Sequence, residues 1–241
     1  IVYAFRAHLD RRITSGGAID MAITRLVHVF MPAAIVMAFV YAPAAEVLGE
    51  TSRLLYFHVP LAWVSVMAFA VSGIASVAFL AGSKGRFPAA ETTFHNSATL
   101  GTFSALLATA TGSVWAKLMW GSYWNWDPRE TSIVILLLIY FAYFSLRSAL
   151  AGKASRGRLS AAYLVIAMTV MPFFVFVIPR VFRSLHPDPV INPGMKILLE
   201  PEMKLALIVS AAAFSLLYFH LLRITNRVSK IQAAMEDLSD E

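Results

Sequence analysis

The chain has 241 residues, of which 59% are hydrophobic and 14% are charged, and its mean hydropathy is +0.68. This composition excludes an ordinary soluble domain and indicates an integral membrane protein, because apolar runs of about 20 residues recur along the chain. The net charge is +6. In a membrane protein, such a basic excess reports topology and does not indicate nucleic-acid binding.

The chain contains no cysteine. It therefore has no disulfide, no thiolate metal site and no C-x-x-C-H sequence for the covalent attachment of haem. Any haem handled by this chain is expected not to be attached through thioether bonds.

Six apolar segments predict an all-α bundle of six transmembrane helices that forms a single membrane domain over 23–222. In chain order the predicted spans are 23–42, 58–81, 94–114, 132–146, 159–178 and 204–222. Three connecting loops, 43–57, 115–131 and 179–203, fall on one side of the membrane. The tails 1–22 and 223–241 fall on the other side. Prolines at 32 and 172 predict kinks in the first and fifth spans.

The distribution of basic residues predicts the orientation of this bundle in the membrane. Thirteen of the 20 Lys and Arg residues lie on the side of the two termini, and seven lie on the side of the three loops. Positively charged loops remain in the cytoplasm, so we predict cytoplasmic termini and three outer loops.

The most distinctive segment, Trp120-Gly121-Ser122-Tyr123-Trp124-Asn125-Trp126-Asp127-Pro128-Arg129-Glu130, lies in the second outer loop. Together with Trp115 it holds four of the five tryptophans. Tryptophan favours membrane–water boundaries, so an aromatic belt is one interpretation. The grouping favours another, in which the rings form a flat aromatic surface for a large planar ligand with a polar edge.

The end of this segment also has the signature of a helix start. Asp127 suits the N-cap, Pro128 the first helical position and Glu130 the third, which together predict a capping box.

Two histidines, His58 and His186, lie in the outer loops on either side of the tryptophan-rich segment. A single loop histidine is more often an ordinary surface residue. Two on one face, each near prolines (at 60, 187 and 189), favour a pair of axial ligands for haem iron. Four outer arginines could bind lipid head groups or haem propionates: Arg53, Arg129, Arg180 and Arg183.

Three sequence patterns resemble a known family. The first is Thr111-Gly112-Ser113-x-Trp115-x-Lys117-x-x-Trp120-Gly121-x-x-Trp124-x-Trp126-Asp127-x-Arg129-x-Thr131-Ser132. The others are Leu54-x-Tyr56-x-His58-Val59-Pro60 and Ser184-Leu185-His186. Together they resemble the WWD motif and flanking histidine segments of the cytochrome c maturation haem-handling proteins of the CcmC type.

This resemblance implies a protein of the bacterial inner membrane that binds haem b non-covalently on its periplasmic face. His58 and His186 would be the axial iron ligands. The remaining haem-binding residues would be Trp115, Trp120, Trp124, Trp126, Asp127 and Arg129. The implied partners are a CcmE-type haem chaperone, a CcmA/CcmB-type ABC transporter and a small CcmD-type membrane protein.

Three function classes follow. The favoured one is a haem-delivery protein for cytochrome c biogenesis, which is not an enzyme. The enzyme-class alternative is a component of a haem–cytochrome c synthase of the related CcsA branch, to which residues 127–131 are also similar. A small-solute transporter would usually show more polar residues deep in its spans.

Overall fold

The computed structural model describes residues 17–46, 48–82, 88–186 and 199–239. Most of the predicted N-terminal tail and residues 187–198 of the third outer loop, including Pro187 and Pro189, lie outside the described residues. The long helices are α1 (Gly17–Val36), α2 (Leu55–Ala81), α3 (Pro88–Trp120), α4 (Pro128–Ala149), α5 (Arg156–Pro172) and α6 (Pro201–Ser239). The described residues contain no β-strand, so the all-α class is confirmed.

Five helical segments among the described residues are long and apolar enough to cross a membrane, and they contain α1, α2, α4, α5 and α6. The membrane class is therefore confirmed, whereas the sixth span and the side of the termini stay predictions. The remaining helix, α3, has 33 residues and is not among these five segments, and Ser and Thr residues recur along it.

The polar side chains of α3 are satisfied by the helices on either side. The Ser97 hydroxyl donates to the Ala68 carbonyl of α2 over 2.6 Å, and the Tyr218 hydroxyl of α6 lies 2.7 Å from Ser97 Oγ. The Asn96 amide donates to Asn226 of α6 over 2.9 Å. Because buried polar groups cost little when they are hydrogen-bonded, α3 can be polar inside an apolar bundle.

Two helices change their winding near a proline. The helix α1, which contains Pro32, continues as a π-helical turn over Met37–Tyr41. The helix α5 ends at Pro172, continues as a π-helical turn over Phe173–Val177 and finishes as Ile178–Val181. Proline cannot donate to the preceding turn, which is consistent with the change of winding directly after Pro172. Around Pro32 the α-helix continues to Val36, and the kinks at 32 and 172 stay predictions.

The helices are longer than the apolar spans that predict them. A 3-10 turn, Glu50–Leu54, leads into α2, so His58 lies in the first turn of a helix. The helix α3 includes Trp115 and Trp120, which shortens the predicted loop 115–131 to residues 121–127. The helix α6 continues through most of the predicted tail. Helix ends with polar residues extend beyond the hydrophobic segment, and hydropathy alone does not find them.

The helix α2 is the centre of the bundle and packs against α3, α5 and α6, while α1 packs on α6 and α4 packs on α5. In the core, the rings of Phe69 and Tyr140 stack with centroids 3.6 Å apart. Up-and-down connectivity places the starts of α2, α4 and α6 at one end of the bundle. That end contains the site described next.

Candidate functional site

A cavity of about 480 Å³ opens among α2, α3, α4, α6 and the π-helical turn after α5. Its wall is mainly apolar, with Val66, Phe69, Leu136, Phe174 and Leu207 among the lining residues. Both candidate histidines and three basic side chains also line it: His58, His186, Arg129, Arg180 and Lys204. The fold therefore brings together the two histidine segments that flank the tryptophan-rich segment in the chain.

His58 is fixed on α2 by hydrogen bonds to α3. Its Nδ1 atom lies 3.0 Å from the carbonyl oxygen of Ala108 and 3.1 Å from Oγ1 of Thr111. A carbonyl oxygen can only accept, so Nδ1 carries the proton and donates it to Ala108. The lone pair of a neutral imidazole then lies on Nε2, the arrangement typical of histidines that bind metals.

Gly112 provides the space for the His58 ring. A Cβ atom at this position would lie 2.7 Å from Cε1 and 3.3 Å from Nδ1 of His58. Such a distance to the ring is far below normal contact, so any side chain here would displace the imidazole. This glycine belongs to the Thr111-Gly112-Ser113 part of the sequence motif, yet its role becomes visible only when α2 and α3 are packed together.

His186 is held by Asp127 in the same manner. Its Nδ1 atom lies 3.1 Å from Oδ1 of Asp127. The same carboxylate accepts hydrogen bonds from the Leu185 backbone N–H (2.6 Å) and the Ser184 hydroxyl (3.0 Å). The imidazole again has an oxygen acceptor at Nδ1, which leaves its Nε2 lone pair available.

Asp127 also caps α4, as the sequence predicts. Its Oδ1 atom accepts the Arg129 backbone N–H over 2.9 Å, and Pro128 occupies the first helical position. The Glu130 carboxylate accepts the backbone N–H groups of Asp127 (3.2 Å) and Asn125 (2.8 Å). The predicted capping box is confirmed, and Glu130 has a structural role in closing the loop before α4.

The protonation states follow from burial and hydrogen bonding. Burial lowers the pKa of His186 to about 4, although the Asp127 carboxylate partly opposes this shift. Burial also acts to raise the pKa of Asp127, but hydrogen bonds from Arg129, Leu185 and Ser184 hold it below its usual value. At neutral pH, a neutral imidazole therefore donates to an ionised carboxylate.

The tryptophans form two edge-to-face pairs, and the predicted single flat surface is wrong. Trp115 and Trp120 meet at 70° with centroids 5.5 Å apart, and both contact the His186 ring, at 6.1 and 4.9 Å. Trp124 and Trp126 meet at 90° with centroids 5.9 Å apart. Edge-to-face contact suits the quadrupoles of aromatic rings better than a coplanar floor does.

The members of the second pair have different environments. Trp124 lines the cavity, whereas Trp126 is 74% exposed and has a positive φ of 56°. The first pair lies behind His186 and does not line the cavity. The structure therefore separates the cluster into residues that support His186, a residue that contacts the cavity and a residue that faces outward.

The four outer arginines also differ in their position relative to the cavity. Arg129 and Arg180 line the cavity, and Arg183 does not. Arg53 donates to the carbonyl oxygen of Ala38 over 2.7 Å and forms an ion pair with Glu50. It therefore fixes the end of α1 and is not directed to the cavity. Lys204, at the start of α6, is a cavity cation that the sequence reasoning did not single out.

Within the described ranges, no group of three or more His, Asp and Glu residues is arranged to hold a metal ion. The two histidines that line an apolar cavity are thus a different kind of site from a carboxylate-rich metal centre. They suit a ligand whose metal ion is already held in the plane of the ligand and takes further ligands only at its axial positions.

Comparison with known proteins is consistent with this geometry. The sequence model of the family described as "Heme exporter protein C" (CcmC) matches residues 7–239. This chain belongs to the CcmC family. The resemblance carried by the tryptophan-rich and histidine segments is therefore confirmed at the level of the family.

Similarity to individual CcmC proteins extends over most of the chain. The chain is 33% identical to heme exporter protein C of Bradyrhizobium diazoefficiens over 75% of this chain and 68% of that protein. It is 27% identical to heme exporter protein C of Rhodobacter capsulatus over 89% of this chain and 87% of that protein. The protein of the same name in Escherichia coli K12 is 30% identical over 76% of this chain and 71% of its own length.

Proposed function

We propose that this chain binds haem b non-covalently in the cavity and delivers it for cytochrome c maturation. The observation that carries this proposal is the pair of partly buried imidazoles at the cavity, His58 and His186. Each has its Nδ1 proton directed to a fixed oxygen atom, so that each offers Nε2 as a ligand. Haem iron has two axial positions, and two neutral imidazoles from different elements can occupy both.

The remaining residues of the cavity fit a porphyrin. Its apolar wall suits the macrocycle, and Trp124 offers an aromatic ring at the edge. Three cations, Arg129, Arg180 and Lys204, line the same cavity and can pair with the two propionates. Without a cysteine the chain cannot form a thioether bond to haem, which agrees with non-covalent binding of a cargo.

Haem is the cargo of this protein, and we assign the chain no catalytic residue. The relatives are named heme exporter protein C, and the CcmC family supports a role in haem handling for cytochrome c biogenesis. On this proposal the recipient is a CcmE-type haem chaperone at the periplasmic face of the bacterial inner membrane. The chain works beside a CcmA/CcmB-type ABC transporter and a CcmD-type small membrane protein.

Haem transfer tests the delivery function directly. The haem-loaded protein is mixed with a purified chaperone of the CcmE type, separated again by affinity chromatography, and both fractions are assayed for haem. Delivery predicts that haem appears on the chaperone, whereas a synthase predicts a thioether product when only an apocytochrome c is added. Haem that stays with this chain under both conditions would contradict delivery.

Reporter fusions test the orientation. A reporter placed after Lys153, in the turn between α4 and α5, is expected to read cytoplasmic. A reporter placed after Pro193 is expected to read periplasmic. The reverse pattern would place the cavity on the cytoplasmic side and contradict periplasmic delivery.

A further inference from the structure

A second cluster of charged residues lies at the opposite end of the bundle from the haem cavity, where α4 turns into α5. Arg147, in the last turn of α4, is only 8% exposed. Its Nη2 atom donates to Oε1 of Glu91 on α3 over 3.1 Å. Its guanidinium also lies over the Phe94 ring, 5.7 Å from the centroid. A buried arginine thus has one carboxylate partner and one aromatic neighbour.

This arginine retains donors that are not satisfied. Its Nε and Nη1 atoms are buried and have no hydrogen-bond acceptor among the residues that the structure describes. The Nε atom of Arg156, at the start of α5, is in the same condition. Leaving a buried charged donor without an acceptor costs more than any single hydrogen bond gains, so an acceptor beyond the described residues would stabilise these atoms.

The charges at the start of α5 also favour a bound anion. Its first turn carries Arg156 and Arg158 and no acidic residue, and Ser155 makes no side-chain capping bond. The N-terminal end of a helix has a partial positive charge, which favours anions and disfavours cations. The first turn of α5 thus carries cations where anions are normally favoured, and a bound anion would offset this unfavourable charge.

The two features adjoin each other. A Cβ atom at Gly157 would lie 2.8 Å from Oε2 of Glu91, the same carboxylate that pairs with Arg147. The first turn of α5 therefore lies directly against the Arg147–Glu91 pair. One carboxylate, that of Glu91, therefore lies beside Arg147 and the first turn of α5, which carries Arg156 and Arg158, so positive charge is in excess.

From this geometry we propose that the end of the bundle formed by α3, α4 and α5 binds a phosphate group through Arg147 and Arg156. Because this end lies in the head-group region when the helices span a bilayer, the ligand class is an anionic phospholipid. A phosphate diester offers several acceptor oxygens to the fork of a guanidinium, and basic sites between transmembrane helices bind such head groups. This inference does not rest on the haem function.

The test uses the purified full chain after exchange into a neutral detergent. Phosphatidylglycerol or phosphatidylcholine is titrated into it, and bound lipid is counted by native mass spectrometry while thermal unfolding is followed in parallel. A third arm titrates inorganic phosphate. The variant is Arg156→Gln, and the matched control is Lys153→Gln, which removes the same charge from an exposed position in the turn.

The proposal predicts one phosphatidylglycerol adduct that raises the unfolding temperature, with no equivalent effect of phosphatidylcholine. Arg156→Gln is expected to weaken that adduct about tenfold, the size expected for loss of one charge-assisted hydrogen bond, whereas Lys153→Gln leaves it nearly unchanged. Stabilisation by phosphatidylglycerol alone assigns a lipid head group, and equal stabilisation by inorganic phosphate assigns free phosphate to the same site. Equal binding of the two lipids, or equal losses in the two variants, would overturn the proposal.

Discussion

The Nδ1 atom of His186 lies 3.1 Å from Oδ1 of Asp127, the residue that begins α4. The two residues are 59 positions apart in the chain. The contact connects the segment that contains His186 with the start of α4. One carboxylate therefore both caps a helix and orients a candidate iron ligand. The candidate site and the local fold therefore depend on the same side chain.

Replacing Asp127 by Asn separates these two roles. Asparagine is as good an N-cap as aspartate, so α4 is expected to keep its start. Its amide nitrogen cannot accept the Leu185 N–H that Oδ2 accepts now, and the loss of charge weakens the bond to His186. We expect haem affinity, measured by titration, to fall between about tenfold and a hundredfold, the usual effect of losing a partner that orients a ligand.

Asp127→Ala is the companion variant for the cap. It loses the cap as well, and its free energy of unfolding should fall by roughly a further 1 kcal/mol relative to the Asn variant. Unchanged haem affinity in Asp127→Asn would contradict a positioning role for this carboxylate.

Replacing Gly112 by Ala tests the space made for His58. Alanine favours helix by about 0.5–1 kcal/mol over glycine, so the secondary structure should not suffer. The added Cβ would lie 2.7 Å from the His58 ring and force it away from the Ala108 carbonyl. Haem titration should therefore show an affinity reduced by roughly tenfold or more.

The matched control is Gly17→Ala in α1, where an added Cβ has nothing within 4 Å. It should leave haem binding unchanged. If both alanine variants bind haem like the parent chain, the close approach of Gly112 to His58 has no part in the site.

The two tryptophans of the loop should behave differently. Trp124 lines the cavity and Trp126 is 74% exposed, although only one residue separates them. Trp124→Leu is expected to lower haem content, whereas Trp126→Leu should retain haem and affect membrane insertion or transfer to the chaperone. Haem content per purified protein and the inserted fraction are the two measurements. Equal haem retention in both variants would favour the aromatic-belt interpretation.

The pH dependence follows from the low pKa of His186. Its pKa in the folded protein, about 4, lies below the ordinary value of 6.5, so the unfolded chain binds the proton more readily. Stability due to this group is present above pH 6.5 and is lost as the pH falls toward 4. We therefore expect the haem spectrum to persist at pH 5, where an ordinary imidazole is mostly protonated. Loss of the spectrum with a midpoint near 6.5 would contradict a partly buried, neutral His186.

Local sequence signals predicted the local structure well. The residues Asp127, Pro128 and Glu130 lie within one helical turn, so their capping box needs no information from distant parts of the chain. The all-α membrane class follows from apolar runs for the same reason. The ends of α3 and α6 were missed, because polar residues there, such as Thr93 and Asn226, are stabilised by partners on the other helix: the Asn226 amide donates to the Thr93 hydroxyl over 3.1 Å.

The site itself was predicted only in part. His58 and His186 were selected because they share a face, and the structure places both at one cavity. The contact of His186 with Asp127 and the space left by Gly112 arise from packing between helices, which composition and spacing do not encode. The flat tryptophan surface was wrong because alternation along a chain does not determine the angle between two rings.

The absorption spectrum of the haem-loaded protein, recorded for the parent chain and for His58→Ala, His186→Ala and His95→Ala, tests the central claim most directly. His95 is a suitable control because it is partly buried too, but its Nδ1 contacts the Tyr143 hydroxyl at 3.0 Å, away from the cavity. We predict a low-spin spectrum with two imidazole ligands in the parent chain and in His95→Ala, and its loss in either of the other variants. A spectrum that survives both outer substitutions and disappears in His95→Ala would contradict the account.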